Sequence, residues 1–491
     1  MFFEFLKKRW VDVTICSVIL IGIIWRLGFY FWDVSLWHDE ILLANSIIDR
    51  GYLELLRPLE YGQVAPHVFL FAVEASTRLF GESEWSLRLI PMLSGCLALV
   101  WMGYYARRYL DPVVAIFVCS LMSFSTSLMM YTVNFKQYSG DLLASVVALH
   151  LFTLVQDSKR WCIGASGLVL LLPWMSFPSI FVIAGLTIGF LFNALFDRDQ
   201  RQFARIAVVG GVGAISFSIY YFLILANISS SEDLVDFWVH FYFWEPLWSY
   251  RNYLLLNSGI MYTTTFYYGL TMWVFVAGLV LGLWRNYRQI LPCMCVFAVT
   301  LIVVYLQKYP FCERLILFLF PFSAIIVSQI VALIPRTKMI LVVVSVASAL
   351  SMFLHSYQSN VSYLLNGPVY QDVRSNFDFI ESNGAPDEII CLVPPFDEFS
   401  KFYSDYPALS EAVVLGDLSE LTLLPMVESA KPIWVVSEER RADQSQFLID
   451  LVYEFNQLAE SLGRGDYELS YVKFKRTIMI YFEPAVGVDT L

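Results

Sequence analysis

The sequence predicts a polytopic α-helical membrane protein of about eleven transmembrane helices, followed by a small C-terminal α/β domain. Three observations carry that expectation. Of the 491 residues, 58% are hydrophobic, 17% aromatic and 15% charged, where a soluble chain has about a quarter charged. Apolar runs long enough to cross a bilayer recur between Val13 and His355. The net charge of −11 is also uneven: from Tyr370 onward there are 22 acidic and 9 basic residues, a balance of −13, which leaves the preceding 369 residues at +2. The tail thus has soluble composition, and the boundary belongs near 356–370, giving a membrane domain over 1–355 and a second domain over 356–491.

The first span covers roughly 13–32. Lys7, Lys8 and Arg9 precede it and set the N-terminus in the cytoplasm. The span is long and no small-x-small cleavage site follows, so it reads as an uncleaved anchor. Residues 41–63 mix Leu42, Ile47 and Leu53 with polar positions, the pattern of short helices lying on the membrane surface. Residues 66–80 are apolar but few, and include Glu74 and Arg78. If they crossed, the next span (about 85–106) would deliver Arg107 and Arg108 outside; an interfacial or re-entrant helix keeps that pair in the cytoplasm.

Further spans then fall near 112–130, 139–156, 161–175, 178–196, 206–226, 266–284, 290–307, 313–334 and 339–355. Lys159-Arg160, Arg198 with Arg201 and Arg205, Arg285 with Arg288, and Arg336 with Lys338 mark their cytoplasmic ends. Eleven crossings make a multi-pass protein of the plasma membrane whose C-terminal domain is extracytoplasmic. The outer loops 33–84, 131–138, 229–265 and 308–312 are rich in acidic residues and in aromatics suited to the headgroup layer, such as Trp238, Trp244, Trp248 and Tyr250.

In the tail, strand-like runs occupy 388–393, 412–415, 431–436, 469–475 and 477–482, with helical patterns at 370–382, 396–406, 418–429 and 442–462. No G-x-G-x-x-G follows these strands and no Walker sequence occurs, so a soluble nucleotide-binding engine is not visible. Nucleic acid is not an expected partner. The eight cysteines form no disulfide framework: six lie in or beside apolar spans, and Cys312 and Cys391 are in extramembrane positions.

Three polar stretches could carry chemistry. In Trp37-His38-Asp39-Glu40, just past the first span, the two carboxylates are either solvated charge or a general base partly desolvated by nearby aromatics. In the stretch 131–141, Lys136 is accompanied by Asn134, Gln137, Tyr131, Tyr138 and Asp141, too polar a group for a plain lipid-facing helix start. Gln137 and Asp141 are four apart and share a helix face. In 308–314, Arg314 either snorkels or offers its donor fork to a phosphate; Arg26 and Arg88 have the same two readings. His38, His67 and His240 do not have metal-ligand spacing. A divalent cation bridging Asp39 and a phosphate is chemically reasonable, but nothing in the sequence requires one.

The order of Trp37-His38-Asp39-Glu40, Gln63-Val-Ala-Pro66, Leu79-Phe-Gly81, Glu84-Trp-Ser-Leu-Arg88, Phe135-Lys-Gln-Tyr-Ser139 and Glu313-Arg-Leu-Ile-Leu-Phe-Leu-Phe-Pro321 resembles the GT-C superfamily of polyprenyl-phosphate-dependent glycosyltransferases. Its relatives include protein O-mannosyltransferases and lipid A aminoarabinose transferases. The resemblance spans nearly the whole membrane part and, more weakly, the tail. It implies a GT-C-like fold and a transferase that uses a lipid-phosphate sugar and inverts the anomeric carbon. Asp39 is then the general base on the acceptor hydroxyl with Glu40 as its neighbour, Asp141 a second functional acid, and Lys136, Tyr138 and Arg314 the contacts to the donor phosphate. One departure stands out: Asn134 occupies a position where the family pattern has Glu, which bears on metal dependence.

The chemistry is coherent without the family. A leaving polyprenyl phosphate needs positive charge, which Lys136 and Arg314 supply, and an attacking hydroxyl needs a base. The expected partners are a polyprenyl-phosphate-linked sugar, an envelope glycan, lipid or protein acceptor, and membrane lipids. The rival readings are a transporter or flippase of lipid-linked sugars, and a non-enzymatic scaffold or sensor. Clustering of polar residues at one membrane face, with no internal repeat, argues against the transporter.

Overall fold

The computed structural model describes residues 2–32, 35–226, 238–243, 249–264, 271–333, 373–384, 388–393, 397–403, 405–406, 409, 412–415, 423, 425–426, 429, 431–438, 442–461, 467–474 and 477–484. The chain divides into two compact units, Met1–Trp32 with Gly51–Leu365, and Asp33–Arg50 with Asn366–Leu491.

The first unit is helical. In order come α1 (Phe2–Tyr30), α3 (His67–Phe80), α4 (Glu84–Tyr109), α5 (Pro112–Phe124), α6 (Thr126–Thr132), α7 (Tyr138–Asp157), α8 (Cys162–Met175), α9 (Ser179–Phe196), α10 (Gln200–Tyr220), α11 (Tyr250–Thr264), α12 (Thr271–Tyr305) and α13 (Phe320–Ser328); α2 (His38–Ile48) belongs to the second unit. Six described stretches are long and apolar enough to cross a membrane: Arg9–Tyr30, α4, α7, α9, Gln200–Leu225 and α12. The pair α5 and α6, bent by 52°, makes a seventh if it counts as one span. This is a multi-pass membrane protein. The eleven expected crossings are not all of that kind. With its 14 residues, α8 reaches only about 21 Å against a hydrocarbon core of about 30 Å. The apolar stretch Leu317–Leu333 is also shorter than a span, and the run expected at 339–355 lies outside the described residues.

In α12 a continuous helical run hides a reversal. Phe275 and Phe297 would stand about 33 Å apart on a straight helix, yet their ring centroids are 5.0 Å apart. A Cβ on Gly282 would meet Ile290 at 2.6 Å. The chain turns back at Asn286, whose φ of −149° and ψ of 60° leave the helical region. The two arms, 271–285 and 287–305, match the two passes expected at 266–284 and 290–307.

Arginines from the expected cytoplasmic ends gather at one end of this bundle. Arg107 pairs with Asp12, Arg205 donates to the Val155 and Gln156 carbonyls at 3.1 and 2.9 Å, and Arg288 pairs with Asp197 at 2.6 Å. Arg285 donates to the Ala332 carbonyl at 2.7 Å, and Asn193 to that of Arg288 at 2.8 Å. With Gln289 Nε2 donating to the Tyr109 carbonyl, these contacts bring together α1 at Asp12, the ends of α4, α7 and α9, the start of α10 and the Asn286 turn, as up-and-down passes require. α3, with its 14 residues, is not among the candidate spans.

The second unit carries a five-stranded sheet in the order β2 (Val413–Val414), β1 (Ile389–Leu392), β3 (Ile433–Glu438), β5 (Thr477–Pro484), β4 (Tyr467–Phe474). The first three strands are parallel, and the β4–β5 hairpin adds antiparallel to β3. Beside it lie α14 (Arg374–Asn383), α15 (Asp397–Phe402) and α16 (Ala442–Ser461). Cys391, Ile433, Val435, Leu451 and Phe482 form its core. The expected strands are all present within a few residues; the helix expected at 418–429 lies largely outside the described residues. Cys312 and Cys391 are both free and buried, and burial pushes their thiols up to about 11 and about 12.

The segment before and within α2, expected to belong with the membrane domain, packs inside this second unit. Val373 N–H donates to Ser35 Oγ at 3.2 Å, Leu36 N–H to the Tyr403 hydroxyl at 3.0 Å, and Asn45 Nδ2 to the Glu398 carbonyl at 2.8 Å. Lys401 pairs with Asp49.

Candidate active site

In the first unit, polar residues converge where α6 ends and α7 begins, in 133–141. The break is built locally. Val133 closes α6 by donating to the Met130 carbonyl at 3.2 Å, and α7 restarts with Asp141 N–H donating to the Gln137 carbonyl at 3.1 Å. Ser139 Oγ donates across the break to the Tyr131 carbonyl at 2.9 Å, and the Tyr131 and Tyr138 rings meet edge to face. This joint is not a surface loop. Phe135 is fully buried and stacks on Phe69 of α3, while Lys136 and Asp141 are each only 4% exposed.

A buried ammonium is costly unless it is hydrogen-bonded. Lys136 Nζ donates to Gln63 Oε1 at 2.6 Å, and the neighbouring Gln137 Nε2 to the Val64 carbonyl at 3.4 Å. The chain entering α3 therefore roofs the joint. Three further buried polar atoms have no hydrogen-bond partner among the described residues: Asn134 Nδ2, Gln137 Oε1 and Asp141 Oδ1. Such atoms are rare in folded proteins and are met by water or ligand. Two acceptors and a donor suit a polyhydroxylated group. Ser176, the C-cap of α8, faces Asp141 closely enough to interact with it, but neither Ser176 Oγ nor Asp141 Oδ1 reaches normal hydrogen-bond geometry.

Tyr309 connects this joint to the third polar stretch. It interacts electrostatically with Asp141 and Tyr138, and its hydroxyl donates to the carbonyl of Leu315, the neighbour of Arg314, at 2.8 Å. The Arg314 guanidinium lies 5.3 Å from the centre of the Trp238 ring, a cation–π contact. Lys136, Tyr138 and Asp141 are thus brought together, with Arg314 on the segment that Tyr309 ties to them. Sequence reasoning missed Tyr309 and Ser176 as neighbours of Asp141, and Gln63 as a partner of Lys136. Tyr309 does stand inside the third polar stretch, and Gln63 inside the order of motifs that carries the resemblance.

Asp39 and Glu40 lie in the second unit, in the first turn of α2, where a helix N-terminus favours carboxylates. Glu40 is fully buried, and its Oε2 accepts from Trp37 N–H at 3.3 Å, the reciprocal half of a capping box. That contact gives Glu40 a structural job. Asp39 is half-buried. Of the other polar candidates, Arg26 turns to backbone: Nη1 donates to the carbonyls of Gly22 (3.0 Å) and Ser123 (3.2 Å), and Nη2 to that of Met122 (2.8 Å). His67 Nδ1 lies 2.8 Å from the Tyr220 hydroxyl, and burial holds the imidazole below its ordinary range. Among the described residues, no three His, Cys, Asp or Glu side chains form a group that could hold a metal ion.

Residues 64–224, about a third of the chain, match the family described as dolichyl-phosphate-mannose-protein mannosyltransferase. The matched region contains Lys136, Tyr138 and Asp141, and excludes Asp39, Glu40 and Arg314. No curated protein matches the chain. Among solved structures, the fold is similar to ArnT from Cupriavidus metallidurans bound to undecaprenyl phosphate, at 14% identity and a TM-score of 0.55, covering 96% of this chain and 98% of that one. The apo form of ArnT gives 15% identity and a TM-score of 0.55, covering 97% and 98% of the two chains. The oligosaccharyltransferase of Archaeoglobus fulgidus, in complex with Zn and sulfate, gives 13% and 0.54, covering 97% of this chain and 74% of that one. At these identities the likeness is one of fold. The resemblance to the GT-C superfamily, drawn from the order of motifs, is borne out.

Proposed function

We propose that the chain is an integral-membrane glycosyltransferase that moves a sugar from a polyprenyl-phosphate donor to an acceptor hydroxyl, with inversion, at the outer face of the plasma membrane. The observation that carries this reading is the buried polar joint at 133–141, with an ammonium and a carboxylate, inside the region matching a mannosyltransferase family. ArnT, similar in fold, has been crystallised with undecaprenyl phosphate, a ligand of the class proposed for the donor.

In this reading Asp39 takes the proton of the acceptor hydroxyl as its oxygen forms the bond to the anomeric carbon. The bond from that carbon to the phosphate oxygen breaks on the opposite side, so the configuration inverts. The leaving polyprenyl phosphate keeps the electron pair, and Lys136 and Arg314 stabilise its charge, with Tyr138 as a hydrogen-bond donor. Asp141, Gln137 and Asn134 offer hydrogen-bonding atoms to the sugar hydroxyls. Eleven crossings, a cytoplasmic N-terminus, an extracytoplasmic tail and a division at 355/356 complete the proposal. A divalent cation is an optional participant, and none of these steps uses one.

The test is an assay with radiolabelled polyprenyl-phosphate sugar and the protein reconstituted in vesicles. The expected outcome is consumption of donor with release of polyprenyl phosphate and label on an acceptor. Donor that changes leaflet without being consumed would make the protein a transporter.

A further inference from the structure

The roof over Lys136 has features that a passive lining does not need. Gln63 ends a tight turn in which its N–H donates to the Glu60 carbonyl at 3.0 Å. Both central residues have positive φ, +55° at Tyr61 and +63° at Gly62, the backbone signature of a type I′ turn. Glycine takes that conformation freely, whereas a tyrosine there is strained by about 1 kcal/mol or more. The strained turn points the half-buried Gln63 carboxamide at Lys136. The contact that fixes it, oxygen on ammonium at 2.6 Å, is of the kind a phosphate oxygen would make with greater strength, because the oxygen would carry charge. A second strut, Gln137 Nε2 to the Val64 carbonyl, ties the same strap one residue further on.

We infer that Gln63 is a latch: its carboxamide oxygen and the donor phosphate compete for Lys136, and binding of the phosphate releases the strap 60–64 from the α6–α7 joint. This rests on the reading that Lys136 binds the donor phosphate. Gln63 is then a residue that sets donor affinity, and the strap's position reports whether Lys136 holds a phosphate. A ligand that must first displace an internal partner binds more weakly by the fraction of time that partner is in place. Removing the latch therefore tightens binding, and strengthening it weakens binding.

The test uses the full chain in lipid nanodiscs with undecaprenyl phosphate as the probe. Gln63→Ala is expected to bind it roughly threefold to tenfold more tightly than wild type, and Gln63→Glu, which offers Lys136 a charged oxygen, at least about tenfold more weakly. Lys136→Ala is expected to weaken binding. In wild-type protein, adding undecaprenyl phosphate should raise amide hydrogen exchange across 60–64, a readout that needs no variant to fold. If Lys136→Ala weakens binding while Gln63→Ala leaves it unchanged or weaker, and exchange at 60–64 does not rise, the latch is wrong and the phosphate site stands. If Lys136→Ala binds as wild type does, the phosphate reading itself fails and the latch falls with it.

Discussion

His67 illustrates how a single side chain divides between the readings that sequence allows. It sits at the start of α3, buried against Tyr220 and Phe71. Burial lowers its pKa, so between about 6.5, the ordinary imidazole value, and the lower folded value, the unfolded chain binds more protons than the folded one. Stability is fully present above that window and falls as pH drops through it. Thermal unfolding followed from about pH 7.5 to about pH 5.5 should show wild type losing more stability than His67→Gln; parallel losses would contradict this assignment. At the same scale, Arg26 read as an arginine that snorkels or offers its fork to a phosphate, and not as one serving backbone carbonyls. Met122 and Ser123, which accept its bonds, are nearly a hundred residues away in sequence. Glu40 was hidden for a different reason. It makes only the Glu half of a capping box, accepting from the backbone N–H of Trp37 at the N-cap, where the recognisable pattern has Ser or Thr.

Among the elements, the spans were the most readable, because a bilayer imposes both length and apolarity. What breaks them was less so. The bend of 52° between α5 and α6, inside a stretch that reads as one span, lies beside the α5 carbonyls that Arg26 takes; the reversal at Asn286, by contrast, was marked by Arg285 and Arg288 between two expected spans. Close helix packing was present in the sequence but unread: Gly185 and Gly189 are four apart on α9, the small-xxx-small pattern of membrane helices. A Cβ on Gly185 would meet Val296 Cα at 2.4 Å, and one on Gly189 would meet Pro292 Cα at 2.4 Å. Backbone cannot step aside as a side-chain tip can. Gly185→Ala or Gly189→Ala should therefore lower stability in detergent by about 1–3 kcal/mol, while Gly211→Ala, with nothing within 4 Å, should change little. Equal melting temperatures for Gly185→Ala and Gly211→Ala would contradict the close approach of α9 to 287–305.

On the scale of the whole molecule, composition separated an apolar helical part from an acidic tail, and alternating hydrophobicity located the strands of the tail's sheet. The membership of 35–50 was not legible. It depends on Ser35, Leu36, Asn45 and Asp49 finding Val373, Tyr403, Glu398 and Lys401 more than three hundred residues later, and no local pattern encodes such pairings. The helix bearing Asp39 therefore belongs with the C-terminal part of the chain, and Lys136, Tyr138, Asp141 and Arg314 with the helical unit. The central claim is that Asp39 is the base of a sugar transfer. Its most direct test is the rate of transfer from a polyprenyl-phosphate sugar in reconstituted vesicles, wild type against Asp39→Asn, with binding of undecaprenyl phosphate measured on both. The account predicts at least about a hundredfold loss of transfer with undecaprenyl phosphate still bound; equal transfer by the two proteins would contradict it.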